Sequence, residues 1–349
     1  MVQRIIVTGG AGFIGSNFLR HMVSKYPDYL LINVDKLTYS GNINSISDLN
    51  GKSNYRFIQA DIRDHKKMLE IIQEGDVVVN FAAESHVDNS IEEPEIFFDT
   101  NVLGTHSLLD AARISGAKLF VQISTDEVYG SLDLSSRKKF KEDTAFAPNI
   151  PYSATKAGGD LLCRAYYSTW KVPVVVTHCS NNFGPYQYPE KLIPFFIVRA
   201  MENKKLPLYG DGKHVRDWIY VLDHCEALLL CLIKGRAGEV YNIGSGNEKS
   251  NLEIARAILK AFDKDESQIE FVKDRPGHDR RYAIDTSKIK KELGWRAETS
   301  FEEAFAETIE WYRRHQDWID GIRKRTGVFN PHIDLWKAHF GRNRKRLDR

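Results

Sequence analysis

The stretch that decides the fold is RIIVTGGAGFIGS, residues 4–16. It begins as an apolar strand-like run and continues with Gly9, Gly12 and Gly15 in front of a helix-like run. Glycines at such a junction let the main chain turn tightly and approach a pyrophosphate at the helix N-terminus. Asp35 ends the next predicted strand, 20 residues after Gly15. A carboxylate there accepts hydrogen bonds from ribose hydroxyls and repels a 2′-phosphate. The stretch therefore predicts an NAD site rather than an NADP site, the alternative being a purely structural turn.

Strand-like and helix-like runs alternate after this stretch, which predicts an α/β fold with a doubly wound parallel Rossmann sheet. From Phe183 onward prolines break the rhythm, and we expect a smaller α/β C-terminal substrate lobe. We assign 1–182 to the NAD-binding Rossmann domain and 183–349 mainly to the second lobe, with segments that cross between lobes. The basic extension at 313–349 is left unassigned. The predicted strands are 4–7, 29–34, 55–59, 76–81, 118–123 and 172–177, and the predicted helices are 16–24, 64–73, 95–115, 153–170 and 252–262.

The composition disfavours several classes of protein. The 349 residues are 42% hydrophobic and 28% charged, with a formal net charge of +2, as in ordinary globular proteins. This near-neutral balance favours neither nucleic acid nor membrane binding. Because no apolar run reaches about 18 residues and the N-terminus does not resemble a signal peptide, we expect a cytoplasmic protein without a transmembrane helix. The four cysteines form no CxxC pair, so buried thiols are expected rather than two disulfides, and no metal site is expected.

Tyr152 and Lys156 form a Tyr-x-x-x-Lys pattern in a helix-like run. Side chains four residues apart lie on one face of a helix, so the phenol and the ammonium should be neighbours. A nearby cation stabilises a phenolate and lowers the pKa of the phenol. Tyr152 is therefore predicted to act as a base toward a sugar hydroxyl whose carbon loses hydride. The alternative is a packing pair on an amphipathic helix, because the pattern is common by chance.

Four polar residues, Ser124, Thr125, Asp126 and Glu127, follow a buried strand. Parallel sheets place their chemistry at the carboxyl ends of strands. Taken alone, the adjacent carboxylates fit either a solvated turn or a matched acid and base. Hydride transfer needs no such pair, whereas elimination of water needs a base at one carbon and an acid at the leaving hydroxyl. We therefore predict that Asp126 and Glu127 serve an elimination.

Together these motifs resemble those of the dTDP-glucose 4,6-dehydratase family, nucleotide-sugar enzymes of the extended short-chain dehydrogenase/reductase group. The GxxGxxG spacing is typical of the extended group, and the Thr-Asp-Glu run with the run at 274–282 is typical of the dehydratases. The resemblance covers residues 4 to about 312. The runs that carry it are 8–16, 35–42 (DKLTYSGN), 82–88 (AAESHVD), 101–105 (NVLGT), 124–130 (STDEVYG), 152–157 (YSATKA), 180–194, 216–218 (RDW), 274–282 (DRPGHDRRY) and 293–295 (LGW).

The resemblance implies an NAD-dependent dehydration of dTDP-glucose. In that reaction Tyr152 takes the proton from the glucose O4 while hydride passes from C4 to NAD⁺, and Thr125 hydrogen-bonds the C4 oxygen. Glu127 then removes the C5 proton, Asp126 protonates the C6 hydroxyl so that water leaves, and hydride returns to C6. The implied product is dTDP-4-dehydro-6-deoxy-glucose, used for deoxysugar biosynthesis such as that of rhamnose. NAD is regenerated in each turn and should stay bound.

The resemblance also implies the ligand contacts. A diphosphate needs cationic donors, which suits Lys191 and Arg216; the alternative for Arg216 is a surface ion pair with Asp217. The implied catalytic set is Thr125, Asp126, Glu127, Tyr152 and Lys156. The implied cofactor contacts are Gly9, Gly12, Phe13, Ile14, Gly15, Asp35, Lys36, Leu37, Thr38, Asp61, Ile62, Ala82, Ala83, Thr100, Tyr152, Lys156 and Asn182. The implied substrate contacts are Ser85, Thr125, Asn181, Lys191, Leu192, Pro207, Tyr209, Arg216, Asn251, Arg275 and His278.

Other functions fit part of the same pattern. A nucleotide-sugar 4-epimerase or decarboxylase, or a UDP-sugar dehydratase, would share the fold, and a non-catalytic NAD-binding sensor would share the cofactor site. A sensor needs no acid–base groups, which argues against that alternative. Because thymine differs from uracil by only one methyl group, the preference for dTDP over UDP rests on the resemblance. Asn89 and Ile150 depart from the family pattern without touching the proposed catalytic set. By analogy with the family, the helices at 95–115 and 153–170 would pair with a second subunit to form a homodimer.

Overall fold

The computed structural model describes residues 3–327 and Phe329. The strands are β1 (Gln3–Thr8), β2 (Tyr29–Asp35), β3 (Tyr55–Gln59), β4 (Val77–Asn80), β5 (Leu119–Thr125), β6 (Val174–Cys179), β7 (Asn181–Phe183), β8 (Leu206–Tyr209), β9 (Val215–Tyr220), β10 (Val240–Ile243), β11 (Glu248–Ser250) and β12 (Ile269–Val272). Within this described part, seven parallel strands form the central sheet in the order β10-β6-β5-β4-β1-β2-β3. The predicted doubly wound parallel sheet is confirmed.

Helices cover both faces of the sheet because its strands are apolar on both sides. Alternate residues of β1 show this: Ile5 and Val7 belong to one hydrophobic core, which includes Phe18, and Ile6 belongs to the other, which includes Leu108. The helices are α1 (Phe13–Lys25), α2 (His65–Ile71), α3 (Val87–Glu92), α4 (Pro94–Phe98), α5 (Thr105–Ser115), α6 (Pro151–Trp170), α7 (Leu192–Met201), α8 (Val221–Lys234), α9 (Asn251–Ala261), α10 (Ser287–Leu293), α11 (Phe301–Arg314) and α12 (Gln316–Thr326).

A smaller lobe is built from two short sheets, β11-β9-β7 and β12-β8, together with helices such as α7 and α9. The chain crosses between the lobes more than once, because β10 returns to the edge of the central sheet and pairs with β6. The carboxyl ends of β1, β4, β5 and β6 therefore face the smaller lobe across a cleft. The division of the chain at residue 183 stays a prediction.

The helix predicted at 95–115 is interrupted. A π-helical segment, Asp99–Gly104, separates α4 from α5. It turns Asn101 inward, where the side chain accepts from Glu84 N at 2.9 Å and donates to Glu84 O at 3.0 Å and to Thr155 Oγ1 at 3.1 Å. These bonds tie the end of β4 to α6. Such bulges in helices often occur at functional sites, and this one carries Thr100 into the cleft.

Three further predictions concern the chain as a whole. None of the helices formed by residues 3–327 is long and apolar enough to cross a membrane. All four cysteines, Cys163, Cys179, Cys225 and Cys231, are buried and free of disulfides. Part of the unassigned basic extension forms α12, whereas its most basic part, after Phe329, lies outside the described residues.

Candidate active site

The glycine loop between β1 and α1 packs too closely for larger residues. Gly9 has a left-handed φ of +72°, and a Cβ there would lie 2.6 Å from the main-chain nitrogen of Ala82. A Cβ on Gly15 would lie 2.5 Å from the carbonyl oxygen of Gly9. Helix α1 begins directly after Gly12, and its first residues line the cleft. A helix N-terminus reached through such a loop is suited to a pyrophosphate.

Asp35, at the end of β2, lines the same cleft. Its carboxylate accepts hydrogen bonds from Leu37 N at 2.7 Å and from Ala11 N at 2.9 Å, which hold it in place. Burial raises the pKa of Asp35, while these two bonds oppose the rise. The geometry fits an acceptor for ribose hydroxyls. Of the residues predicted to contact the cofactor, all except Leu37 line this cavity; Leu37 instead adopts a left-handed φ of 59° and helps to hold Asp35.

Thr125, Asp126 and Glu127 stand where β5 ends against this cavity. A single turn of 3-10 helix, Asp126–Tyr129, follows the strand directly. Thr125 caps the turn, because its Oγ1 accepts a hydrogen bond from Glu127 N at 3.3 Å. The Asp126 side chain is buried, with 1% of the residue exposed, so the alternative of a solvated turn is wrong.

The two carboxyl groups have different electrostatic surroundings. Burial raises the pKa of Asp126 well above its ordinary range, and the charges of Glu127 and Asp217 raise it further. Burial also raises the pKa of Glu127, but Arg275 and Arg216 oppose that rise. Neither Asp126 Oδ2 nor Glu127 Oε2 has a hydrogen-bond partner among the described residues. Asp126 is therefore suited to hold a proton, and Glu127, which is near two guanidinium groups, is suited to accept one.

Tyr152 and Lys156 lie in the first two turns of α6, and both line the cavity. Lys156 Nζ donates to the carbonyl oxygen of Ile123 at 2.7 Å, and burial lowers the pKa of Lys156. Burial raises the pKa of Tyr152 well above its ordinary value, and the Glu127 carboxylate adds to the rise. This differs from the prediction that Lys156 lowers the pKa of the phenol. Desolvation and a nearby anion dominate, and the ammonium is bound to a main-chain carbonyl.

A second cavity opens from the same group of residues toward the smaller lobe. Glu127, Asn181, Glu190 and Lys191 line both cavities, so the two meet beside the carboxylates. Of the residues predicted to contact the substrate, Ser85 and Thr125 line the first cavity. Asn181 and Lys191 line both, and the others line the second: Leu192, Pro207, Tyr209, Arg216, Asn251, Arg275 and His278.

Cationic side chains are concentrated at this second cavity. Arg216 is 5% exposed and donates to two main-chain carbonyls, at 2.8 and 3.0 Å. Arg275 lies 3.5 Å from the carboxylate of Asp88, and Lys191 Nζ donates to a main-chain carbonyl at 2.6 Å. The alternative of a surface ion pair between Arg216 and Asp217 is wrong, because both side chains are buried. Arg216, Arg275 and Lys191 bring charged donors to one cavity, which Asp88, Glu127 and Glu190 also line. Charged donors of this kind are suited to bind a diphosphate.

His214, Asp274 and His278 form a cluster whose ligand atoms lie within 4.8 Å of one another, and His278 lines the second cavity. The two imidazole rings are stacked at 3.6 Å, and each contacts the carboxylate, at 3.1 Å from His214 and 2.6 Å from His278. Burial lowers the pKa of both rings, that of His214 to about 4. Arg280 Nη1 lies 3.3 Å from His214 Nε2, so a guanidinium already faces a would-be ligand atom. We interpret the cluster as a hydrogen-bonded support behind His278, which lines the second cavity.

Glu190 was not among the predicted site residues, although it lines both cavities. Burial raises its pKa to about 7, although Lys191 opposes the rise. The hydroxyl of Tyr39 donates to Glu190 Oε1 at 3.2 Å. A carboxyl group that titrates near neutral pH where two cavities meet is a candidate proton carrier. The available signal was a charged pair, Glu190 and Lys191, directly before the apolar helix α7, but no known spacing singled it out.

A buried polar network, which was not predicted, lies behind the residues predicted to be catalytic. Asp160 Oδ2 accepts from Ser124 Oγ at 2.6 Å and lies 3.2 Å from His178 Nε2. His178 Nδ1 lies in turn 2.6 Å from the hydroxyl of Tyr129. Asp160 follows Lys156 by one helical turn, and its charge opposes the burial effect on the pKa of Lys156. The network joins the end of β5 to α6 and so fixes the relative positions of the residues predicted to be catalytic.

Comparisons with known proteins agree with this geometry. The model of the family described as GDP-mannose 4,6 dehydratase matches residues 6–308. A dTDP-glucose 4,6-dehydratase of Xanthomonas campestris pv. campestris is 49% identical over 337 residues, which cover 91% of this chain and 95% of the relative. A low-salt glycan biosynthesis protein of Haloferax volcanii is 52% identical over 308 residues, covering 88% and 98% of the two chains. The crystal structure of the dTDP-glucose 4,6-dehydratase DesIV from Streptomyces venezuelae, solved with NAD bound, superposes with a TM-score of 0.88 at 45% identity, covering 90% of this chain and 98% of that one.

Proposed function

Because the chain belongs to the family described as GDP-mannose 4,6 dehydratase, we propose that it is a dTDP-glucose 4,6-dehydratase, a hydro-lyase that uses NAD. The observation that carries the proposal is the pair formed by the buried Asp126 and the partly buried Glu127, which lies beside Tyr152 where the two cavities meet. An epimerase needs a hydride site and one base, whereas this site holds two further carboxyl groups with different surroundings. Elimination of water is the reaction that uses both.

The oxidation at C4 uses residues of the first cavity. When bound, NAD supplies the hydride acceptor and donor and, in its oxidised form, a positive charge. Tyr152 takes the proton from the sugar O4, for which its pKa must fall from the raised value that burial and Glu127 impose. A cation placed beside the phenol produces such a fall, because it stabilises the phenolate. Thr125, whose side chain hydrogen-bonds Tyr152, holds the C4 oxygen in reach of the base.

The elimination uses the two carboxyl groups. Once C4 is a ketone, the C5 proton is acidic, and Glu127 removes it. Arg275 and Arg216 favour the ionised form of Glu127 that this step requires. Asp126 donates a proton to the C6 hydroxyl, which leaves as water; its raised pKa keeps that proton in place beforehand. The hydride taken from C4 would then return to C6 and a proton would be restored at C5, which gives dTDP-4-dehydro-6-deoxy-glucose, a precursor in deoxysugar biosynthesis.

The second cavity accommodates the nucleotide. Arg216, Arg275 and Lys191 provide the positive charge that a diphosphate requires. Leu192 and Phe196 line the same cavity and offer apolar contact to a base. A thymine methyl group in such surroundings is worth about 1–3 kcal/mol against uracil. This range supports a preference for dTDP-glucose over UDP-glucose without excluding slow turnover of the latter.

Parallel assays with dTDP-glucose and UDP-glucose test the proposal. The expected product is a 4-keto-6-deoxy sugar nucleotide, detected by the absorbance of its enolate in alkali, and formed faster from dTDP-glucose by roughly 10- to 100-fold in kcat/KM. A galactose epimer as the sole product would refute the dehydratase assignment. Bound NAD without turnover of either sugar would favour a sensor.

We further propose a homodimer formed through α4, α5 and α6. Large apolar side chains are exposed on these helices and the segment between them, a clustering that often marks an interface. The four buried, unpaired thiols support a cytoplasmic location, where thiols stay reduced. Size-exclusion chromatography with light scattering tests the assembly: the intact chain should be dimeric, and Phe98→Glu should be monomeric. The exposed side chains are Ile96 (46%), Phe98 (50%), Leu103 (46%), Ile114 (53%), Leu161 (55%) and Trp170 (53%).

A further inference from the structure

Helix α12, the last helix of the described residues, is anchored on the NAD-binding lobe by its first two turns. Trp318 Nε1 donates to Ser45 Oγ at 3.0 Å, across 273 residues of chain. Ile319 and Ile322 are 4% and 0% exposed and belong to the main hydrophobic core. These contacts bury the helix without help from its last turn. A side chain in the last turn can therefore be changed without detaching the helix.

Arg325, in that last turn, donates hydrogen bonds to a single short loop. Its Nη1 donates to the carbonyl oxygens of Thr38 at 3.2 Å and Gly41 at 2.8 Å, and its Nη2 donates to the carbonyl oxygen of Tyr39 at 2.8 Å. Loop carbonyls need donors, and the planar guanidinium presents several in a fixed geometry. The next residue, Thr326, shares a hydrogen bond of 2.7 Å with the hydroxyl of Tyr188.

The loop that Arg325 holds, residues 36–42, is hereafter the cofactor loop. It follows Asp35, and its residues Lys36, Thr38, Ser40 and Gly41 line the first cavity. Its last residue is tied to the glycine loop through a main-chain bond of 3.0 Å to Ala11. The cofactor loop thus forms the wall of the cavity at the position assigned to the ribose.

The same loop reaches the reaction centre. The hydroxyl of Tyr39 donates to Glu190 Oε1 at 3.2 Å, and the Tyr39 ring meets Tyr188 edge-on at a centroid distance of 5.6 Å. Tyr188 also lines the first cavity and is the residue bonded to Thr326. The end of α12 therefore contacts the cavity wall twice, through Arg325 on the cofactor loop and through Thr326 on Tyr188.

We propose that Arg325 is a positioning residue that holds the cofactor loop over the ribose end of NAD and so slows NAD release. The proposal rests on the proposed function in one respect: a reaction that returns its hydride in every turnover has no need to exchange the cofactor. Opening of the cofactor loop then sets the rate of NAD loss, and each opening must break the three bonds to Arg325. The basic extension, which sequence patterns leave unassigned, thereby gains a role at its start.

The test compares Arg325→Ala with the matched control Arg323→Ala. Arg323 lies on the same helix and is paired with Glu202 and Asp320 rather than with the cofactor loop. The measured quantity is the rate at which bound radiolabelled NAD is lost from the full chain during a chase with unlabelled NAD. Because charged hydrogen bonds at a partly exposed site are lost, Arg325→Ala should release NAD on the order of tenfold faster, whereas Arg323→Ala should match the parent.

Two further readouts separate positioning from general destabilisation. Arg325→Lys keeps the positive charge but loses the planar guanidinium with its several donors, so its rate of NAD release should lie between those of the parent and Arg325→Ala. Dehydratase turnover by Arg325→Ala should fall when free NAD is removed and recover as NAD is added, which a folding defect would not allow. Release from Arg325→Ala at the parent rate, or equal acceleration in Arg323→Ala, overturns the proposal. The chase needs no sugar nucleotide, so its result is independent of whether dTDP-glucose is turned over.

Discussion

Replacing Asp126 by asparagine separates the two halves of the proposed reaction. Burial and two neighbouring carboxylates raise the pKa of Asp126, and asparagine has the size and the neutral charge of a protonated aspartate. Folding and NAD binding should therefore change little. The amide has no acidic proton to give to the C6 hydroxyl. General acid catalysis contributes about 10²- to 10⁴-fold to a rate, and loss of the acid should raise the elimination barrier by about 3–5 kcal/mol.

The assay follows both halves in a single turnover. Reduced nicotinamide should accumulate in Asp126→Asn as C4 is oxidised, because hydride cannot return to C6 until water has left. In the parent the same signal should be transient and weak. Asp133→Asn, which changes an exposed carboxylate on the following loop, serves as the matched control and should behave as the parent. Water release by Asp126→Asn at the parent rate would refute the role assigned to Asp126, and so would a loss of C4 oxidation equal to the loss of product.

Three other predictions concern Gly15 in the glycine loop, Arg216 in the second cavity and the carboxyl group of Glu190. Gly15→Ala places a Cβ 2.5 Å from the Gly9 carbonyl oxygen and should weaken NAD binding by roughly 10- to 100-fold in calorimetric titration, while Gly321→Ala in α12 should not; equal affinities would contradict the tight packing. Arg216→Gln should raise KM for dTDP-glucose by about tenfold or more in initial-rate assays, and an unchanged KM would remove Arg216 from the diphosphate site. Burial raises the pKa of Glu190 to about 7 in the folded protein, from an ordinary value of 4.5. The parent therefore loses stability relative to Glu190→Gln as pH rises through this interval, because the unfolded chain releases the proton first. Chemical denaturation at several pH values should show a relative loss of about 3 kcal/mol, and a pH-independent difference would show that Glu190 is not perturbed.

Local spacing was enough to predict the parts of the site that a short segment determines. The glycine loop and Asp35 belong to one βαβ unit, β1-α1-β2, and both line the first cavity as that unit predicts. The carboxylates after β5 and the pair on α6 follow from strand ends and helical periodicity in the same way. The catalytic and binding roles of these residues stay predictions until the variants are measured.

Features that depend on long-range contacts could not be predicted. The pKa of Tyr152 is governed by burial and by Glu127, neither of which the spacing to Lys156 reveals. Asp160 and His178 look like unrelated residues of a helix and a strand until the fold places them 3.2 Å apart. The π-helical segment, Asp99–Gly104, depends on the contacts of the inward-facing Asn101 with other elements. The hydrophobic pattern of the sequence continues across it and predicts one uninterrupted helix.

The central claim, that the site dehydrates a sugar through an internal hydride transfer, is tested most directly by isotope tracing. The chain is given dTDP-glucose deuterated at C4 in ordinary water, and then unlabelled dTDP-glucose in heavy water. We expect a 4-keto-6-deoxy product that carries the C4 deuterium at C6 in the first experiment and one solvent deuterium at C5 in the second. A product that keeps the label at C4 and takes up none at C5 would contradict the account, because hydride would then have returned to C4 without any elimination.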